Sequence, residues 1–374
     1  MKLDLMDGQD LLLDTTKRLL TASWSTQTIR SRHDVGDRSD RAISSRGADL
    51  GWTALMVPDE LGGGSVSGHA VSDLALLVEE LGRVLFSGPV VSTNLAAFAL
   101  AASGSTHLAE EHLPGVVSGT SLIAWAVPED GTRWGADATG ITATPSAGGF
   151  VLRGVKWPIQ DAEYADHLLV SAMTPDGLTQ FLVPADVSGV TVGPMESIDL
   201  ARRLAFIEFD SVQVPATAVV GAVGEAEEAV ERQLALALTL QCAETVGATD
   251  AAFDMALTYV KDRKAFGRAI GSYQALKHRF ADMLLWLEGA KAVTEAAVDA
   301  LERGTGESDS ACMAKAYVAS KCPLIVRDCL QMFGGIGFTW EHDVHLYLRR
   351  VESNALLYGG RDYHLDRLAP GIGL

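Results

Sequence analysis

The chain has 374 residues, 48% of them hydrophobic, and a net charge of −18. That length predicts two or three domains rather than one simple core. So acidic a chain is a poor nucleic-acid partner, because phosphate repulsion would have to be overcome. No apolar run is long enough to span a bilayer, and Lys2, Asp4, Asp7 and Asp10 interrupt the N-terminus. Neither a signal peptide nor a membrane anchor is expected, and the reading is cytoplasmic.

The first third reads as helical. Leu11 to Leu13 with Leu19 and Leu20 predict an amphipathic helix. The polar stretch Thr26 to Arg41 has little apolar content and is expected to be a mobile loop. Pro58 and the triplet Gly62 to Gly64 end the next segment. Ser72 to Val84 and Thr93 to Ala102 carry helical spacing. Past residue 119 the pattern changes to short strand-like runs: 123–127, 140–144, 150–153, 167–171, 180–183, 190–192 and 205–209. Turn residues separate them at the rhythm of a β-barrel or sandwich. From Glu225 the chain returns to helix, with a break at Gly304 to Gly306 and further helix from Asp309 to Met332.

The cysteines are Cys242, Cys312, Cys322 and Cys329, without a C-x-x-C pair or paired histidines. They read as small buried residues of a reducing compartment, and no metal site is expected. The order helix, sheet, helix excludes a doubly wound dinucleotide fold, which needs alternation.

Two late segments are the most specific. One runs Arg263-Lys264-Ala265-Phe266-Gly267 into Ser272-Tyr273-Gln274-Ala275-Leu276-Lys277-His278. The other is Gln331-Met332-Phe333-Gly334-Gly335-Ile336-Gly337-Phe338-Thr339-Trp340-Glu341. Each alone reads as a helix end with glycines. Together, inside this order of elements, they resemble the flavin-binding segments of the acyl-CoA dehydrogenase family. The resemblance covers nearly the whole chain. It implies an α+β multidomain protein: an N-terminal helical domain (1–118), a central β-barrel domain (119–222) and a C-terminal four-helix bundle (223–374). It also implies FAD between the β-domain and the C-terminal helices, completed by a neighbouring subunit, and a tetramer built as a dimer of dimers.

The chemistry of the residues agrees with that division. A pyrophosphate wants cationic donors, which Arg263 can supply, and an adenine wants a stacking or amide surface, which Phe266 and Gln274 can supply. By resemblance these three contact FAD, Gln331, Gly334 and Gly335 reach FAD held mainly by the adjacent subunit, and Trp157 packs on the flavin edge. An acyl-CoA thioester is the implied substrate and an electron-transfer flavoprotein the implied acceptor.

Three departures bear on the chemistry. Family members carry hydroxyl donors in two β-domain turns; here these turns read Val127-Pro128-Glu129-Asp130 and Trp157-Pro158-Ile159-Gln160. Ile159 loses a hydrogen bond to the flavin and Pro128 a backbone donor. The family's catalytic glutamate position is Gly359, and the alternative position, on the first long C-terminal helix, is Ala237. Glu244 lies two helical turns past Ala237 on the same face, in an apolar segment. It is either the base or a buried structural carboxylate paired with an arginine such as Arg279 or Arg349. Glu352 and Asp362 flank the degenerate motif and fit less well, although Asp362 could reach in from a rearranged loop. Glu341, His342 and His345 read as structural.

Ala-Glu-x-x-Gly around Glu244, Leu346 to Arg350 and the degenerate Tyr358-Gly359-Gly360 are similar to the actinobacterial enzymes of steroid side-chain degradation. That branch forms α2β2 heterotetramers of unlike, homologous subunits. Three functions stay open. One is a dehydrogenase subunit placing an α,β double bond in a CoA thioester, with Glu244 as base. The second is a non-catalytic partner that completes the FAD site. The third is a flavin-dependent monooxygenase on the same fold.

Overall fold

In the computed structural model, residues 5–35, 41–128, 134–136 and 140–372 are described. Three helices open the chain, α1 (Asp7–Ser23), α2 (Thr26–Val35) and α3 (Arg41–Ala48). They are followed by α4 (Ala70–Arg83), α5 (Val90–Ala102) and α6 (Thr106–Val117). The loop expected from Thr26 is helix as far as Val35, and the remainder, 36–40, lies outside the described residues. Long-range packing overrides its weak local pattern: Ile29 and Arg30 are buried, and Arg30 is fixed by the far end of the chain.

The centre is a sheet of eight strands: β1 (Ile123–Ala126), β2 (Thr142–Ser146), β3 (Gly149–Gln160), β4 (His167–Thr174), β5 (Gly177–Pro184), β6 (Val190–Met195), β7 (Leu204–Pro215) and β8 (Val219–Val220). Their order is β6-β7-β3-β2-β4-β5-β8, with β1 paired parallel to β4. Alternation along β4 serves two cores. Leu168, Val170 and Ala172 join Leu152, Phe181 and Ile207 inside the β-domain. Leu169, between them, joins Trp125 and the helical core.

The C-terminal part holds α7 (Glu227–Asp262), α8 (Gln274–Arg303), α9 (Glu307–Phe333), α10 (Val344–Leu356) and α11 (Arg361–Leu368). A two-stranded hairpin, β9 (Lys264–Ala265) and β10 (Arg268–Ala269), separates α7 from α8. Helix α7 also packs on α4, where two backbones touch. A Cβ on Gly82 would lie 2.2 Å from the Glu244 carbonyl oxygen, and one on Gly247 would lie 2.0 Å from that of Glu79. Only glycine permits so close a crossing. Among the described residues no helix is long and apolar enough to cross a membrane.

Candidate cofactor and active site

Arg263, Phe266 and Gln274 lie on the arm between α7 and α8. The arm is tied to itself: Ile270 N–H donates to Arg263 O at 2.8 Å, Tyr273 OH donates to Ala265 O at 3.2 Å, and the Arg268 guanidinium sits 3.9 Å over the Tyr273 ring. Arg263 and Gln274 are exposed. Phe266 is 96% exposed and holds φ +52° at the hairpin tip. A bulky residue in the left-handed region is strained, and an exposed aromatic forgoes its burial energy. Two costs at one residue point to a role outside the isolated chain.

Gln331, Gly334 and Gly335 lie where α9 runs into a 3-10 turn, Gly334–Phe338. A Cβ on Gly334 or Gly335 would meet no atom within 4 Å. Ile336 is 53% and Phe338 70% exposed. This turn and the arm share one end of the bundle, because Tyr259 at the end of α7 packs on Phe333, ring centroids 4.7 Å apart, and Ile270 joins the same cluster.

Glu244 is elsewhere, inside the helical core. Arg350 Nη1 donates to its Oε1 at 2.8 Å. Arg202 Nη2 and Asn354 Nδ2 donate to its Oε2, at 2.5 Å and 2.9 Å. The partners are therefore Arg202 and Arg350, not Arg279 or Arg349. Arg279 pairs with Asp328, and Arg349 donates to the carbonyl of Ile198. Asp199 pairs with the same two arginines as Glu244. Burial alone would raise the Glu244 pKa, but Arg202, Arg350 and Asn354 outweigh it and hold the carboxyl below its ordinary range. A general base needs the reverse, a carboxylate lifted toward neutrality. The neighbouring Asp161 does show burial pushing it up to about 7. It accepts a hydrogen bond from Ser92 at 3.0 Å.

Gly359 is buried at φ +98°, where a Cβ would lie 2.4 Å from Tyr363 Cδ1 and 3.0 Å from His364 Nε2. No side chain fits there without displacing α11. Beside it Tyr358 is 4% exposed and turns its ring inward at φ +65°. Its hydroxyl donates to Gln160 Oε1 at 2.9 Å. Trp125 and Trp134 meet it edge-on, at centroid distances of 5.7 Å and 5.8 Å. A cavity of about 20 Å³ remains between Gln160, Asp161, Arg202, Glu244, Phe86 and Val91, room for one water. A larger space of about 330 Å³ opens between α5, β8 and the start of α7. Trp125, bonded to Gln233 in the lining of that space, stands between it and Tyr358.

Trp157 is 38% exposed on β3, apart from the arm and the turn. Ile159 is fully buried in the β-domain core, and Pro128 is buried. Glu129 and Asp130 lie outside the described residues. Asp362 does not reach inward: it is exposed in the first turn of α11 and pairs with Arg361. Glu352 pairs with Arg327 at 2.6 Å. The four cysteines are buried and free, and burial pushes the thiols up to about 11 or 12. The aromatic cluster of Trp125, Trp134 and Tyr358 escaped sequence reasoning, whose motifs flag local spacing only.

Comparison with known proteins decides the family. Three family profiles match in sequence: acyl-CoA dehydrogenase N-terminal domain over residues 7–120, middle domain over 124–212 and C-terminal domain over 228–373. The chain belongs to the acyl-CoA dehydrogenase family. The relative "Acyl-CoA dehydrogenase IpdE2" of Mycolicibacterium smegmatis is 32% identical over 97% of this chain and 98% of its own. A variant of the Tcur3481–Tcur3483 steroid ACAD superposes with a TM-score of 0.87 at 29% identity, covering 98% of this chain and 97% of that one. Butyryl-CoA dehydrogenase from Megasphaera elsdenii shares the fold over both full lengths, with a TM-score of 0.90 at 24% identity.

As an acyl-CoA dehydrogenase the chain is classed with oxidoreductases acting on CH–CH bonds, and PigA, which shares the fold with a TM-score of 0.89 at 24% identity, is seen as a complex with FAD. The residues present fit that dinucleotide unevenly. The open glycine turn and the exposed arm suit its adenosine and phosphate end. The region beside Gly359, filled by Tyr358 and its two tryptophans, leaves no comparable space for reaction chemistry.

Proposed function

We propose that this chain is the flavin-completing subunit of a heterotetrameric acyl-CoA dehydrogenase, with the catalytic base on an unlike, homologous partner. The observation that carries this reading is Tyr358, wedged between Trp125 and Trp134 beside a glycine too confined to carry a base. Glu244 supports it as well, because two arginines keep it ionised and engaged. On this reading Glu244 is a structural carboxylate.

FAD would supply the hydride acceptor for the carbon β to a thioester, with a carboxylate removing the α-proton. This chain's own residues do the holding. Arg263 would neutralise phosphate, Phe266 and Gln274 would hold the adenine, and Gln331 with the Gly334–Gly335 backbone would complete the cofactor site. Trp157 would pack at a flavin edge. A steroid side-chain CoA thioester is the proposed substrate, supported by the named steroid ACAD among the similar structures. An electron-transfer flavoprotein is the proposed acceptor, in the cytoplasm.

Co-expression with the product of the neighbouring open reading frame tests the proposal. The expected complex holds one FAD for each pair of unlike chains and turns over with ferrocenium, while this chain alone is colourless and inactive. A yellow, active homotetramer of this chain would overturn it. Oxygen-dependent product formation would point to the monooxygenase instead.

A further inference from the structure

The glycine turn at the end of α9 is held from an unexpected side. Arg30 on α2 reaches its far end. Its Nε donates to Trp340 O at 2.9 Å, and its Nη1 lies 2.8 Å from Asp343 Oδ1. The side chain is 8% exposed. Its Nη2 is buried and finds no hydrogen-bond partner among the described residues. His345 returns to the same carbonyl at 3.2 Å and stacks on the Trp340 ring, centroids 5.5 Å apart. The His33 ring, one turn along α2 from Arg30, sits 5.9 Å from that indole.

Upstream of Trp340 the turn is seated at one point, Gly337, which is buried against Leu330, Phe333 and Val344. Thr339 Oγ1 donates to Ile336 O at 3.0 Å, but Gly335, Ile336 and Phe338 face outward. A short 3-10 segment rich in glycine has high conformational freedom and few bonds of its own. Beyond the Gly337 seat, its shape is therefore set by its two ends. One end is α9, anchored through Phe333 on Tyr259. The other is Trp340 to Asp343, anchored by Arg30.

We infer that Arg30, in the N-terminal domain, is a positioning residue for the flavin-reaching turn. Its side chain holds the far end of the turn, at Trp340 and Asp343, rather than the Gly334–Gly335 backbone. It fixes the Trp340 carbonyl with a charged hydrogen bond and Asp343 with an ion pair buried on the arginine side, and so pre-organises the Gly334–Phe338 backbone. Without it the turn samples many shapes and FAD must select one, which lowers apparent affinity by the fraction of competent turns. This rests on the proposed role of the turn in binding FAD.

The test uses the flavin-depleted native assembly titrated with FAD, with amide exchange measured in the same samples before addition. Arg30→Ala is expected to weaken FAD about tenfold or more and to speed exchange at residues 335–339, with the assembly intact. Arg30→Lys, which keeps the charge toward Asp343 but lacks the planar fork, is expected to fall between. Arg83→Ala is the control. It removes another inter-helix ion pair, to Asp250 and Asp254, and should lower stability while leaving FAD affinity within about twofold. Unchanged exchange at the turn in Arg30→Ala would overturn the brace itself. Faster exchange with unchanged FAD affinity would overturn its bearing on flavin. Equal loss of affinity in Arg83→Ala would reduce Arg30 to a general stability role. A wild-type assembly that binds no FAD would instead remove the reading beneath it, and exchange would still report on the brace.

Discussion

Glu244 Oε1 accepts a hydrogen bond from Arg350 Nη1 at 2.8 Å, across 106 residues of chain. The contact ties the middle of α7 to α10 in a pocket where Arg350 is fully buried. It turns a candidate catalyst into a partner in a charge cluster.

Glu244→Gln should therefore cost stability and spare chemistry. Removing one buried charge leaves its partner uncompensated, a loss of about 3–5 kcal/mol. Urea unfolding should show that loss, and turnover of the assembled enzyme at permissive temperature should stay within about threefold. Activity falling by orders of magnitude in a normally stable protein would restore Glu244 as base.

Gly359→Glu should not install a base. The new Cβ would collide with Tyr363 and His364, at a φ of +98° that disfavours any side chain. The expected outcome is destabilisation by about 2 kcal/mol or more and no dehydrogenation by this chain alone, read by thermal melts and dye reduction. Recovery of activity would show that the region yields more easily than its packing implies.

Phe266→Gly separates stability from function. Glycine relieves the left-handed strain at φ +52° and no packing is lost from a side chain 96% exposed. Chain stability should stay level or rise by up to about 1 kcal/mol. FAD retention by the assembly should nevertheless drop about tenfold. Retention equal to wild type would mean that the ring faces something other than the cofactor.

Lys315 predicts a pH dependence. Its Nζ donates to Gln241 Oε1 and to the carbonyls of Asn354 and Leu357, the last at 2.8 Å. Burial pushes its pKa down to about 7, from an ordinary 10.5. Above pH 7 the unfolded chain therefore binds more protons than the folded one, and this group makes stability rise with pH. Below pH 7 its penalty is fully present. Between about pH 7 and 8.5, under the range where the raised thiols act, the gain should be about 1–2 kcal/mol. Lys315→Met should be less stable overall and lack that slope in urea unfolding. A slope unchanged by the substitution would assign it to other groups.

Much of the fold was legible. The change from helical to strand-like spacing near residue 119, and back at Glu225, reflects residues that face one core each. Helix α2 was not, because Ile29 is the one apolar side chain of it in the core among the described residues and Arg30 owes its place to Trp340 and Asp343. The arm and the glycine turn were found through their motifs, and the structure puts both at one end of the bundle. The partners of Glu244 were missed. Arg202 lies 42 residues before it and Arg350 106 after it, so no local pattern couples them. The role of Tyr358 carries no local signal, because its ring is defined by tryptophans from another domain.

The crossing of α4 on α7 at Gly82 and Gly247 has a consequence for how the molecule comes apart. With main chain resting on main chain, the first and last domains share a seam rather than a linker, and neither buries its apolar face when cut free. The first and last domains should therefore melt together, and an excised C-terminal half would meet its partner as a sticky, partly unfolded fragment.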